Sequence, residues 1–113
     1  MNSKMNPEIK DRWVAALRSG EYKQGTGRLR RVNDTFCCLG VLCDLLDSDQ
    51  WEPHADYYSH GGLSYMNIPS NELREQVGLH PDDVNILWKL NDGWGGETPK
   101  SFEEIADYIE ENL

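Results

Sequence analysis

Apolar residues recur at Ile9, Trp13 and Leu17, spaced i, i+4 and i+8 with Ala16 alongside, and this single stripe predicts a helix from about Pro7 to Ser19. Its ends carry matching signals: Asn6 as N-cap, Pro7 at the first helical position and Gly20 just past the last turn. The pattern then changes. "GRLRRVNDTFCC" alternates weakly, with β-branched Val32 and Thr35 on either side of Asn33 and Asp34, and so predicts a short hairpin near 28–36 that turns at those two residues. "FCCLGVLCDLL", residues 36–46, is apolar almost all round. Eleven residues are long for a strand in a small domain, so it reads as a central buried helix.

Residues 47–69 hold two prolines, a glycine pair and many polar side chains, which predicts a long excursion with at most a short strand around Leu63 to Met66. Ser70 is placed to cap a short helix through Val77 that Gly78 stops, and Pro81 to open another through about Leu90 with Val84, Leu87 and Trp88 inward. The final segment has the clearest local signal. Ser101 and Glu104 form a capping-box pair, and Phe102, Ile105, Ala106 and Ile109 keep the helical period, with Glu103, Glu104, Asp107, Glu110 and Glu111 on the outer face. Together these elements predict an α+β fold, mostly helical with a small antiparallel sheet, in one domain spanning 1–113.

Charge sharpens the picture. The chain has a net charge of −9, yet "YKQGTGRLRR", residues 22–31, holds Lys23, Arg28, Arg30 and Arg31 with no acid, which leaves −13 on the other 103 residues. Such an overall balance disfavours nucleic-acid polymers and anionic membrane, each of which needs a basic face several phosphates wide. A compact anion needs only a local pocket, because screening cuts off the distant charges within about 8–10 Å. In this loop the two glycines free the backbone to expose N–H groups, and guanidinium groups bind phosphate oxygens bidentately. If Leu29 points into the core, Arg28 and Arg30 share the opposite face and form a cationic pair. The plainer alternative is a solvated hairpin whose arginines pair with the acidic excess.

Other chemistry finds less support. No GxxxxGK[ST] occurs, nor a GxGxxG after a convincing strand. Cys37, Cys38 and Cys43 lack a CxxC knuckle, crowd into an apolar run and read as reduced core thiols; no metal, cofactor or catalytic group is expected. His54, His60 and His80 fall where loops are expected and read as exposed polar residues. "NDGWGG" lacks the alternating acids of a calcium loop and reads as a turn, but Trp94 among glycines has a reason to be there only if it packs on a core, a partner subunit or a flat ligand. The same holds for Trp51, Tyr57 and Tyr58, for each of which core filling is the plainer reading. "SFEEIADYIEENL" has a helix-turn-helix flavour that its charge rules out, since residues 102–113 carry acids and no base. The N-terminus lacks the apolar stretch of a signal peptide, so the cytoplasm is the expected compartment.

Three phrases, "ALRSGEYKQGTGRLR", "FCCLGVLCDLL" and the closing "LNDGW…SFEEIADYIEE", resemble a widespread family of small phage and bacterial proteins. The resemblance covers about half the chain. Proteins of this kind include viral sponges, which sequester cyclic-nucleotide signals of anti-phage immunity without cleaving them. It implies a non-enzymatic binder that counteracts host defence in the host cytoplasm, with Tyr22, Lys23, Gln24, Arg28 and Arg30 toward the ligand; the residue reading adds Trp94 as a candidate stacking partner. Enclosing a cyclic oligonucleotide is difficult for 113 residues alone, so a homo-oligomer with the site at or near its interface is expected. The alternative function is an acidic protein-interaction module that inhibits a host protein.

Overall fold

The computed structural model describes residues 5–60 and 68–113. Helix α1 (Pro7–Ser19) begins where expected: the Asn6 side chain accepts from the N–H groups of Glu8 and Ile9, and Gly20 adopts φ +80° beyond the last turn. Three short strands follow, β1 (Lys23–Gln24), β2 (Arg30–Arg31) and β3 (Thr35–Phe36), and then α2 (Cys38–Leu46). The hairpin is present, with Arg30 opposite Phe36. Its turn sits one residue earlier than predicted: Asp34 N–H donates to Arg31 O at 2.9 Å, so Val32 and Asn33 are central and Asp34 follows at φ +61°, a three-residue hairpin loop. The buried helix also starts later than predicted. Phe36 is consumed by β3, and the Cys37 sulfur caps the helix by accepting from Gly40 N–H at 3.4 Å.

The segment read as a long excursion folds instead into a second hairpin, β4 (Trp51–Pro53) and β5 (Tyr57–His60). Pro53 masked the pairing in the sequence, but it lies at the end of an edge strand, where a missing N–H is tolerated. The strand expected around Leu63 to Met66 lies outside the described residues. The sheet order is β1-β3-β2-β5-β4, with β1 parallel to β3 and every other neighbouring pair antiparallel.

Helix α3 (Asn71–Val77) is capped by Ser70 and stopped by Gly78, and α4 (Pro81–Asp92) runs two residues further than its apolar pattern, to a left-handed Gly93. Helix α5 (Phe102–Asn112) carries the predicted Ser101–Glu104 capping box. The result is an α+β fold in which α1 packs on α5 and α2, while α2 packs on α4 and β3. Trp13, Leu39, Leu42, Leu87, Ile105 and Ile109 are completely buried between these helices, and Leu29 reaches the same core from the base of the sheet. Gly40 permits that contact: a Cβ there would fall 1.9 Å from the carbonyl oxygen of Leu29. No described helix is long and apolar enough to cross a membrane.

Candidate functional site

The two faces of the sheet differ because side chains alternate along each strand. On the face toward α2, register brings Phe36, Arg30, Tyr58, Trp51 and His60 together. Asp44 of α2 organises this face by accepting from Tyr22 Oη at 2.6 Å and from Trp51 Nε1 at 3.0 Å. Desolvation, then the neighbouring Asp44 carboxylate, pushes the Tyr22 phenol well above its ordinary value, so it stays a donor. The Arg30 guanidinium lies 4.2 Å from the Tyr58 ring centroid, 5.3 Å from Phe36 and 5.5 Å from Trp51, and it binds Asp34 Oδ1 through Nη2 at 2.6 Å. It is thus engaged by three rings and a carboxylate of its own chain.

The opposite face carries Lys23, Thr35, Arg31 and Tyr57 in one row across four strands: Lys23 is registered with Thr35, Arg31 with Tyr57, and the hairpin sets Thr35 beside Arg31. At about 4.8 Å between strands, Lys23 and Arg31 sit roughly 10 Å apart. The Arg28 guanidinium joins this row, 5.0 Å from the centroid of Tyr57, with His54 stacked on the same tyrosine at 4.6 Å and 13°. Arg28 Nη1 donates to Gly27 O at 2.9 Å, while Arg28 Nε is buried and has no hydrogen-bond partner among the described residues. Arg31 Nε donates to Thr26 O at 2.9 Å, which folds the glycine loop under its guanidinium. Among the described residues, Lys23, Arg28 and Arg31 form no ion pair with any carboxylate.

The expected Arg28–Arg30 pair is therefore corrected. Arg28 precedes β2 and lies over Tyr57, whereas Arg30 lies over Tyr58 on the inner face; adjacent tyrosines of one strand point to opposite sides. Gln24 is structural, donating from Nε2 to Asn91 Oδ1 at 3.0 Å and to Lys100 O at 2.8 Å. Trp94 belongs to a separate cluster with Trp88, at 5.4 Å. Sequence reasoning missed Arg31, Tyr57 and His54 as members of one face, because the strand that gathers them lay in the segment read as a loop. His60 is also corrected: it is only 2% exposed, in β5, with Nε2 2.8 Å from Asp47 O.

The three thiols are buried core residues, and burial pushes Cys37 up to about 12 and Cys38 and Cys43 well above their ordinary range. Among the described residues there is no cluster of three or more His, Cys, Asp or Glu side chains placed to hold a metal ion. The acidic face of α5 is partly satisfied within the chain, where Arg18 binds both Asp107 and Glu110.

Residues 5–68 match the family described as Domain of unknown function (DUF8296). The chain belongs to that family. The matched span contains α1, α2 and the whole five-stranded sheet, so the cationic face lies within the DUF8296 domain, whereas Trp94 and helices α3 to α5 lie outside it. No curated protein and no solved structure matches the chain.

Proposed function

We propose that this DUF8296 chain binds a compact phosphorylated nucleotide of the cyclic oligonucleotide class and holds it without cleaving it. The carrying observation is the outer sheet face, where Lys23, Arg28 and Arg31 stand without carboxylate partners in a chain of net charge −9, and the buried Arg28 Nε has no partner among the described residues. Phosphate oxygens are strong charge-assisted acceptors for the guanidinium and ammonium groups that this face presents. Tyr57, with Arg28 and His54 beside it, adds an aromatic surface for a base or sugar.

Several features support sequestration rather than turnover. The buried, protonated thiols supply no thiolate. His54 Nε2 lies 2.9 Å from Ser59 Oγ, but the pair closes a hairpin, Ser59 is buried, and no carboxylate among the described residues orients the histidine. The resemblance of the loop and of "FCCLGVLC" to phage proteins supports a role in counteracting an immune signal in the cytoplasm of an infected cell. An open sheet face covers only one side of such a ligand, so a second copy of the chain completes the enclosure. Val32, 49% exposed at the hairpin tip next to Arg31, offers that copy an apolar contact.

A thermal-shift screen against cyclic di- and trinucleotides with linear controls, at fixed salt, tests this reading. A ligand at about 100 times its Kd adds about 2.7 kcal/mol and raises Tm by several degrees. Absence of a shift with every nucleotide overturns it.

A further inference from the structure

A second concavity lies beyond the sheet, where α4 ends. Gly93 adopts φ +77°, and a Cβ there would come within 2.7 Å of both Glu97 O and the Pro99 ring, so only glycine lets the chain double back at this point. Lys100 N–H donates to Leu90 O at 2.8 Å and fixes the return. The reversal holds Trp94 outward, 58% exposed, edge-on to Trp88 and with the Lys89 ammonium 5.5 Å from its ring. Ile86, Leu90, Thr98 and Lys100 complete a cavity of about 210 Å3 with Trp94 and Lys89, and Glu97 is the one carboxylate on its rim.

We propose that this cavity is the base subsite of the same ligand, taking one planar nucleobase against Trp94 while Lys89 and Lys100 draw the phosphate-bearing side. The inference rests on the nucleotide reading above. Its size argues for a single ring system, since sites for drug-sized molecules begin near 300 Å3. Its chemistry fits a base: the lining is almost wholly apolar, and an exposed indole beside the Lys89 ammonium gives a stacking platform that tolerates any base. Its position fits the same ligand as the sheet. The Lys100 carbonyl accepts from Gln24 Nε2 at 2.8 Å, and Asn91 Nδ2 donates to Gly25 O at 2.8 Å, so the cavity rim adjoins edge strand β1 on the inner side, where Gln24 lies, and one ligand reaches Lys23 on the outer side by passing around that edge. Gln24 and Asn91 are positioning residues in this scheme, setting the distance between base and phosphate subsites.

Isothermal titration calorimetry on the full chain tests it, with cyclic di-AMP, cyclic di-GMP and cyclic tri-AMP as probes and wild type, Trp94→Ala, Trp94→Phe and Arg31→Ala as proteins. Because Trp94 is mostly exposed, its variants are expected to fold, which circular dichroism checks. The expected result is at least a ~10-fold loss of affinity for Trp94→Ala and less than ~3-fold for Trp94→Phe, which keeps a stacking ring. Binding by Trp94→Ala at wild-type affinity, or equal losses in both Trp94 variants, overturns the base subsite; with Arg31→Ala still impaired, the sheet-face reading survives. If wild type binds none of the probes, or Arg31→Ala binds as wild type does, the nucleotide reading itself fails and the base subsite fails with it.

Discussion

The Arg28 guanidinium lies 5.0 Å from the centroid of the Tyr57 ring, on the sheet face that also carries Lys23 and Arg31. Two residues further on, Arg30 is engaged on the other face by Asp34, Tyr58, Phe36 and Trp51. Cations of one loop thus lie on two faces of the sheet, and substitution separates them. Arg30→Ala is expected to lower stability by about 2 kcal/mol, through the lost stacking on Tyr58, Phe36 and Trp51. Arg28→Ala and Arg31→Ala are expected to stay within about 0.5–1 kcal/mol of wild type in urea unfolding.

Asn91 is completely buried and joins three elements: it accepts from Cys38 N–H and Gln24 Nε2 and donates to Gly25 O. Asn91→Leu strands the buried Cys38 N–H and removes the partners of Gly25 O and of one Gln24 Nε2 hydrogen, the other staying on Lys100 O. We expect a loss of about 3 kcal/mol by urea denaturation, together with weaker nucleotide binding, because the glycine loop loses its anchor to α4.

Gly40→Ala places a methyl 1.9 Å from the Leu29 carbonyl oxygen, which neither α2 nor the sheet is free to vacate. Destabilisation of at least about 3 kcal/mol is expected, seen as a large fall in Tm or as insoluble expression.

Hydrogen bonds from the Ser101 backbone hold Glu104 below its ordinary value of 4.5, and the Arg18 side chain does the same for Glu110. Both carboxylates are easier to ionise in the folded chain, so their stabilisation is complete above about pH 4.5 and is lost as pH falls through the folded values. Tm measured from pH 6 down to pH 3 should drop, and Glu104→Gln with Glu110→Gln should flatten that drop. An equal slope in the double variant counts against the assignment.

The buried thiols predict a chemical result as well. Iodoacetamide at pH 8 should leave Cys37, Cys38 and Cys43 unmodified in the native chain, and mass spectrometry should find all three alkylated in urea.

Much of the fold was legible because its signals are local. Asn6, Pro7 and Gly20 mark α1, Ser70 and Gly78 mark α3, and the Ser101–Glu104 pair marks α5, each through backbone groups within a turn of the residue that satisfies them. The second hairpin was not legible, because Trp51–Pro53 and Tyr57–His60 are short, polar and interrupted by proline, and they become strands by pairing with each other and, through Tyr57 and Tyr58, with Arg31 and Arg30. The site shares that limit. A concentration of cations in residues 22–31 is visible in the sequence, but which of them share a face depends on where Tyr57 and Tyr58 lie, a relationship between residues about 27 apart in the chain. Asn91 and Gln24 were hidden for the same reason, since nothing near either residue announces the bond between them.

The central claim is that the outer sheet face binds a cyclic oligonucleotide and leaves it intact. Equilibrium dialysis of wild type and the Arg28→Ala/Arg31→Ala double variant against cyclic di- and trinucleotides, followed by chromatography of the recovered ligand, addresses it most directly. The account predicts retention by wild type, a loss of at least ~100-fold in the double variant at unchanged Tm, and a ligand recovered chemically unaltered. Equal retention by both proteins, or a cleaved product after incubation with wild type, would contradict it.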